Sequence, residues 1–176
     1  MNQARVVIRR AEATDLAKVG TVARATWPVV YAGIIPDDVQ RRVLASWYSA
    51  ESLSRAREAP QSSLFVAESD GDVIGFAQFV RRSAESAELT RIYVLPDRQR
   101  GGTGTQLLNA GLMELAGGGL QHLTVEVERD NGVGRRFYER SGFVAIRELT
   151  REVEGYALAL VEYRRRVALA QTPLQD

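Results

Sequence analysis

Cysteine is absent from the chain, histidine occurs once, at His122, and lysine occurs once, at Lys18. Without cysteine there can be no disulfide framework, zinc–thiolate site, iron–sulfur cluster or cysteine nucleophile. A single histidine also excludes a metal site built from several imidazoles. The composition therefore predicts a protein that works without a metal cofactor.

Long apolar runs and an excess of one charge are missing as well. No apolar stretch reaches the roughly 18 residues of a membrane span, and residues 1–10 lack the apolar core of a signal peptide. The 23 Lys and Arg balance 22 Asp and Glu, whereas nucleic-acid-binding proteins carry a basic patch or stripe. We therefore expect a cytoplasmic protein that binds neither membranes nor nucleic acids.

What is present is the composition of one globular domain. The 176 residues are 45% hydrophobic and 26% charged, which suits a chain that buries roughly 70% of its unfolded surface around one core. Residues 1–170 are predicted to form a single domain, and residues 171–176 a frayed C-terminal tail.

The apolar spacing alternates between helical and strand-like along the chain. A first helix is predicted from Asp15 to Trp27-Pro28, and a second from Pro36 with Val39, Val43 and Trp47 on one face; residues 51–58 add a helical turn or two. The predicted strands are 5–9, 63–68, 72–80, 88–95, 120–128, 143–150 and 156–164. Two more helices span 102–116 and 131–141, and the first of them should face the core with Leu107, Leu108, Leu112 and Leu115. Turns at Asp70-Gly71 and Glu154-Gly155 join neighbouring strands into hairpins. This order predicts an α+β fold with a mixed sheet.

A glycine-rich turn is the most informative segment. The strand end Ile92-Tyr93-Val94-Leu95-Pro96 runs into Gln99-Arg100-Gly101-Gly102-Thr103-Gly104, and this turn opens a helix. Backbone N–H groups at a helix N-terminus lack internal partners and, with the helix dipole, favour an anion such as a pyrophosphate. A Rossmann loop would need glycine at Leu107, and a P-loop would need a Gly-Lys pair. The turn predicts a phosphate site, with a plain tight turn as the alternative.

Together with a second motif, this turn resembles the GNAT superfamily of N-acyltransferases. Residues 99–104 are similar to the family's acyl-CoA loop, Q/R-x-x-G-x-G/A, and residues 92–96 to the strand before it. Residues 131–143 are similar to N-x-x-A-x-x-F-Y-x-x-x-G-F, with Gly134 where alanine is usual. The resemblance is strong over residues 88–143 and weaker upstream. It implies a GNAT-like fold, in which a largely antiparallel, twisted sheet has splayed central parallel strands and is flanked by helices.

The resemblance also implies a site for acetyl-CoA. The pantetheine arm would lie between the splayed strands 88–95 and 120–128 and contact the backbone of Ile92, Tyr93 and Val94. Asn131 would bind the CoA arm through its side-chain amide, with a helix N-cap as the alternative. The pyrophosphate would be held by Gln99, Arg100, Gly101, Gly102, Thr103, Gly104 and Thr105.

The implied reaction is the attack of an amine on a thioester. An ammonium with a reference pKa near ~10.4 must first lose a proton, usually to a carboxylate, directly or through water. Glu88 is the first candidate base and Glu126 the second, with His122 or a water chain as alternatives. Tyr138 matches the family tyrosine that serves the departing sulfur as general acid, and a core aromatic is the alternative.

The acceptor is expected to be a primary amine of a small molecule. The first two helices and their connecting loop should bind it, and Trp27 and Tyr31 lie there; an aromatic pair can hold an apolar body or a cation, although Trp27 also suits a core. Three other functions stay open: a non-catalytic acyl-CoA-binding domain, a transferase for protein or peptide amines, and a nucleotide-binding module outside the family. A homodimer is compatible with the resemblance, since many members are dimers.

Overall fold

Seven strands form one mixed sheet in the computed structural model, which describes residues 5–167. The strand order is β1-β2-β3-β4-β5-β7-β6. The strands are β1 Val7–Arg10, β2 Ser62–Ser69, β3 Asp72–Arg81, β4 Ser86–Val94, β5 His122–Glu128, β6 Val144–Val153 and β7 Tyr156–Arg166. The α-helices are α1 Leu16–Val30, α2 Asp37–Trp47, α3 Ala50–Glu58, α4 Thr103–Ala116 and α5 Gly132–Arg140. Within the described range every strand pair is antiparallel except β4–β5, which confirms the predicted fold class.

Both predicted hairpin turns form where the sequence placed them. Asp70 and Gly71 have φ of 54° and 83°, and Glu154 and Gly155 have φ of 49° and 76°. Two consecutive residues in the left-handed region match the twist of antiparallel strands. The turns therefore fix the β2–β3 and β6–β7 pairings.

Helices cover both faces of the sheet and create two apolar layers. On the front face, α1, α2 and α3 pack on the sheet, and the buried residues include Val19, Val22, Trp27, Leu64, Val66 and Phe76. On the back face, α4 and α5 pack on residues that include Phe65, Phe79, Leu89, Leu123, Val161 and Tyr163. The four leucines predicted to face the core from α4 are buried there: Leu107, Leu108, Leu112 and Leu115.

Two sequence expectations about the front helices differ from the structure. The first helix does not end at Trp27-Pro28 but continues to Val30. Pro28 removes one backbone donor near the C-terminal end, where Tyr31 N–H still bonds the Trp27 carbonyl at 2.9 Å, so the break is small. Residues Ala50–Glu58 form a nine-residue helix, because Ser49 caps it by accepting the Ser52 N–H at 3.1 Å. Trp47, predicted on one face of the second helix with Val39 and Val43, is 36% exposed and packs edge-on against Trp27.

The central parallel strands separate after three residue pairs. β4 and β5 pair at Ser86–His122, Ala87–Leu123 and Glu88–Thr124. Beyond these, β4 stays with β3 as far as Val94, and β5 stays with β7 as far as Glu128. The gap between residues 89–94 and 125–128 is called the wedge below. It is the splayed region that the resemblance implied.

The predicted tail, residues 171–176, lies outside the described residues. None of the helices within residues 5–167 is long and apolar enough to cross a membrane.

Candidate active site

The glycine loop, residues 99–104, connects β4 to the N-terminus of α4. A short 3-10 turn, Pro96–Arg98, follows the strand, and Gly102 precedes the first helical residue with φ of 80°. A Cβ at Gly102 would have no neighbour within 4 Å, so the backbone at this point faces open space. The first N–H groups of α4, at Thr103, Gly104 and Thr105, begin directly after it. This geometry suits an anion.

Gln99 has a structural partner inside the loop. Its side-chain amide donates to the Val94 carbonyl at 3.0 Å. This hydrogen bond ties the loop to the end of β4. Arg100 has a φ of 65°, a conformation that is uncommon for a residue with a Cβ.

Asn131 forms the N-cap that was the alternative to a ligand contact. Its side-chain oxygen accepts the Gly134 N–H at 2.9 Å. A Cβ at Gly134 would lie 2.8 Å from the Asn131 side-chain nitrogen. The glycine at position 134, where the family motif has alanine, therefore leaves space for the Asn131 amide. The N–H₂ group of this amide is free to bind a ligand.

Tyr138 projects from α5 into the back layer beside the wedge. Its ring packs against Phe137, Phe143 and Tyr163, with ring centroids 5.2, 5.6 and 6.4 Å away. Among residues 5–167 its hydroxyl has no hydrogen-bond partner. Burial raises the pKa of this phenol, and the nearby Tyr31 hydroxyl raises it further. The group therefore keeps its proton at neutral pH.

A cavity of about 470 Å³ opens on the front face at the wedge. Its walls come from the ends of α1 and α2, from β4 and β5, and from the β6–β7 hairpin. The predicted acceptor-binding residues Trp27 and Tyr31 both line it, with ring centroids 4.5 Å apart. The Tyr31 hydroxyl lies 2.9 Å from that of Tyr93 on β4. Burial raises the pKa of Tyr31 to about 12, partly offset by the hydrogen bond with Tyr93.

Both predicted base candidates line the same cavity, and each is bonded to an arginine. The Glu88 carboxylate accepts from Arg82 Nε at 2.8 Å. The Glu126 carboxylate accepts from both Nε and Nη2 of Arg151, at 3.1 and 2.6 Å. His122 pairs with Ser86 at the far end of β5 and does not line the cavity.

Glu128 is a third carboxylate of this cavity that the sequence analysis missed. It is 8% exposed, and its Oε2 accepts the Asp130 N–H at 2.7 Å. Burial raises the pKa of the Glu128 carboxyl. The sequence spacing could have indicated this residue. Glu126 and Glu128 are two positions apart on β5, so their side chains lie on the same face of the sheet.

Arg91 and Gln78 form a second polar feature that the sequence did not indicate. They are register partners on β4 and β3, and both line the cavity. Arg91 lies over the ring of Tyr48, 4.8 Å from its centroid. Arg91 Nη1 and Gln78 Oε1 are buried without a partner among residues 5–167, and a bound molecule could satisfy both.

No three His, Asp or Glu side chains of residues 5–167 are grouped closely enough to hold a metal ion. The described site combines an open helix N-terminus, a wedge between strands, a buried phenol and an acidic, aromatic cavity.

Comparisons with known proteins agree with this geometry. Residues 30–143 match the model of the acetyltransferase (GNAT) family. The chain is 31% identical to the spermidine N(1)-acetyltransferase of Thermoplasma acidophilum, over 78% of this chain and 88% of that protein. It is 30% identical to an uncharacterized N-acetyltransferase of Mycobacterium tuberculosis, over 74% and 83% of the two chains. The crystal structure of the PaiA N-acetyltransferase from Thermoplasma acidophilum in complex with coenzyme A superposes with a TM-score of 0.77, at 25% identity, over 92% and 99%.

Proposed function

Since the chain belongs to the GNAT family of acetyltransferases, we propose that it transfers the acetyl group of acetyl-CoA directly to a primary amine of a small molecule. The observation that carries the proposal is the wedge, which connects the glycine loop and Tyr138 on the back with the acidic cavity on the front. A thioester held in the wedge would be reached by an amine from the cavity without a covalent enzyme intermediate.

The acetyl-CoA site would be built from the glycine loop and the wedge. The N–H groups of Thr103, Gly104 and Thr105 would bind the pyrophosphate at the start of α4. Gln99 would hold the loop in shape, and Arg100 and Gly101 complete its backbone. The pantetheine arm would run along Ile92, Tyr93 and Val94, where β4 has lost its pairing with β5, and the Asn131 amide would donate to it.

Proton transfers accompany the acyl transfer. An amine reaches the site as an ammonium and must give one proton to a base before its nitrogen can bond to the acetyl carbon. The new C–N bond replaces the C–S bond, and the CoA sulfur leaves as a thiolate. Tyr138 would donate its proton to that sulfur, because its hydroxyl is protonated at neutral pH and has no partner among the described residues. The nitrogen gives its second proton to solvent, and Tyr138 regains from solvent the proton that it gives to the sulfur.

The cavity favours a cationic acceptor with a polar body. Its lining has the carboxylates of Glu88, Glu126, Glu128 and Glu152 against the guanidinium groups of Arg91 and Arg151. The aromatic rings of Trp27 and Tyr31 can pack on the acceptor's carbon chain or on its charge. Buried Arg91 and Gln78 would hydrogen-bond a polar group farther along the acceptor. The relative that acts on spermidine is one member whose named substrate carries primary amines.

The test is a thiol-release assay with acetyl-CoA and four primary amines, namely spermidine, diaminobutane, glucosamine and a lysine-containing peptide. We expect acetylated product from at least one small amine, verified by mass spectrometry. Tyr138→Phe should lower kcat by about 100-fold and leave the acetyl-CoA affinity unchanged. The matched control is Tyr156→Phe, at the start of β7 and outside the cavity, which should behave as wild type.

Two outcomes would contradict the proposal. Acetyl-CoA binding without acetylation of any amine would indicate a non-catalytic acyl-CoA-binding domain. Acetylation of the peptide alone would indicate a transferase for protein or peptide amines.

A further inference from the structure

We propose that Glu128 is the general base, the residue that takes the proton from the attacking amine. This inference rests on the proposed function and deepens it, because it assigns a role that the sequence motifs had left between Glu88 and Glu126. It follows from three observations: where Glu128 lies along β5, what its carboxylate contacts, and how deeply it is buried.

The first observation is its position in the wedge. β5 leaves β4 after Thr124, and Glu128 is the last residue of β5, at the open end of the gap. Glu88 lies at the closed end, in the last residue pair that still joins the two strands. Asn131 and α5, which carries Tyr138, follow Glu128 directly along the chain. Glu128 therefore lies at the same end of the wedge as the helix that carries Tyr138.

The second observation is the partner of each carboxylate. Glu88 and Glu126 are each bonded to an arginine, so each carboxylate already has a cationic partner within the protein. No arginine side chain of residues 5–167 hydrogen-bonds Glu128, although the neighbouring charge of Arg129 favours its ionised form. Its Oε2 is fixed by the Asp130 N–H, which leaves Oε1 for an ammonium. The carboxylate is also close enough to the Tyr31 hydroxyl to raise the pKa of that phenol.

The third observation is the burial of Glu128, which is 8% exposed in a cavity wall. A desolvated carboxylate holds a proton more readily, and burial raises the pKa of Glu128 from its ordinary value. A base whose pKa is nearer to neutral accepts a proton from an amine at a smaller cost. The titratable and charged groups that share the cavity or flank Glu128 are Tyr31, Glu88, Arg91, Tyr93, Glu126, Arg129, Asp130, Arg151 and Glu152.

A purely structural role would have Glu128 hold the turn between β5 and α5 through Asp130. Glu128→Gln separates the two roles, because glutamine keeps the side-chain length and an oxygen that can accept the Asp130 N–H but cannot take up a proton at neutral pH. The matched control is Glu152→Gln, which removes the same charge from the same cavity at an exposed position.

The experiment measures kcat/KM against pH for the best amine of the panel above, together with acetyl-CoA affinity and thermal unfolding. We expect Glu128→Gln to lower kcat/KM by about 100-fold or more and to remove the loss of activity on acidification. Acetyl-CoA affinity should not change. Glu152→Gln should keep the wild-type pH profile. If Glu128→Gln does not fold, Glu128→Asp keeps the carboxylate and should keep the acid limb with a reduced kcat.

An active Glu128→Gln variant with the wild-type acid limb would overturn the assignment and leave the proposed function standing. The same holds if Glu88→Gln or Glu126→Gln removes the limb and Glu128→Gln does not. A wild-type protein that binds acetyl-CoA and acetylates none of the four amines would overturn both proposals.

Discussion

Each carboxylate at the wedge has a different neighbour, and that neighbour decides its chemistry. Glu126 on β5 forms an ion pair with Arg151 on β6, across the intervening strand β7. This carboxylate therefore stabilises the β6–β7 hairpin and also lines the cavity. Glu88 is bonded to Arg82, in the β3–β4 connection. Glu128 accepts the Asp130 N–H, and no side chain of residues 5–167 hydrogen-bonds its carboxylate. Glu126 thus forms an ion pair between strands, and Glu88 forms one with the loop before its own strand. Glu128 is a buried carboxylate that a ligand can reach.

Gly102 gives a prediction about a single backbone conformation. Gly102→Glu places a side chain at φ of 80° and a negative charge at the start of α4. We expect a loss of stability of about 1–2 kcal/mol from the left-handed conformation and a loss of acetyl-CoA binding in calorimetry. Gly71→Glu is the matched control, because Gly71 has φ of 83° and equally open surroundings in the β2–β3 turn. The control should lose similar stability but bind acetyl-CoA as wild type; equal binding by both variants would contradict a pyrophosphate site at this loop.

The sequence predicted where some site residues lie, but not which of the others are buried or lack a hydrogen-bond partner. The spacing of the second motif puts Tyr138 on the helix after β5, beside the wedge. It could not indicate that Glu128 is buried, because that depends on the β6–β7 hairpin and α1, which meet β5 only in the folded chain. The unpaired side-chain atoms of Arg91 and Gln78 could not be predicted for the same reason. These residues lie on two strands, and a bulge beside them sets which residues are paired.

At the scale of elements, α4 approaches the sheet more closely than its leucine pattern indicates. A Cβ at Gly111 would lie 2.2 Å from the Phe79 ring on β3, so only glycine permits this helix–sheet distance. The apolar spacing of Leu107, Leu108 and Leu112 predicted which face is buried, and correctly so. It carried no information about the distance, which is set by one residue without a side chain.

Gly111→Ala should therefore destabilise the protein although alanine is the better helix former. We expect the free energy of unfolding to fall by about 1–3 kcal/mol, since the added methyl group overpacks the contact with Phe79. Gly117→Ala is the control at the C-terminal end of α4, where φ is −63° and the nearest atom to a Cβ is 3.9 Å away. Urea unfolding should show no loss for the control. Equal stability of Gly111→Ala and wild type would mean that α4 shifts without cost.

Element boundaries followed from capping and turn residues, except where a backbone hydrogen bond carries a helix past a local stop signal. Ser49 and Asn131 begin α3 and α5 by accepting N–H groups, as their residue types favour. Pro28 predicts the end of the helix, yet α1 continues for two more residues, because the Tyr31 N–H still bonds the Trp27 carbonyl across the proline. The insertion of β7 between β5 and β6 was not predicted, because alternation along a strand does not specify its neighbour.

For the whole molecule, acid stability should depend on a charge cluster at the start of the chain. Asp15 is 5% exposed and accepts two hydrogen bonds from Arg9, which also bonds Glu68 on β2. The Arg9 guanidinium lowers the pKa of Asp15 from 3.8. Its stabilisation is therefore complete above pH 3.8 and is lost as the pH falls from there through the lower pKa of the folded state.

Asp15→Asn should lower the free energy of unfolding near neutral pH by about 1.5–3 kcal/mol. The difference from wild type should shrink when urea unfolding is repeated at a pH below the folded-state pKa of Asp15. Asp72→Asn is the control, because this exposed carboxylate lies 3.9 Å from Lys18 and surface pairs contribute little. A difference that does not change with pH would show that the Asp15 charge is not what stabilises this corner.

The wedge also divides the chain in two by sequence. Residues 7–116 form β1 to β4 with α1 to α4, and residues 122–166 form β5 to β7 with α5. Between these halves the sheet is continuous over only three residue pairs. The glycine loop belongs to the first half, and Asn131, Tyr138 and Glu128 belong to the second. A ligand that spans the wedge therefore links the two halves of the polypeptide. Its binding raises the free energy of unfolding by about 2.7 kcal/mol at a ligand concentration of 100 times Kd. A titration with this ligand, followed by unfolding, would therefore measure both the occupancy of the wedge and the stability of the sheet.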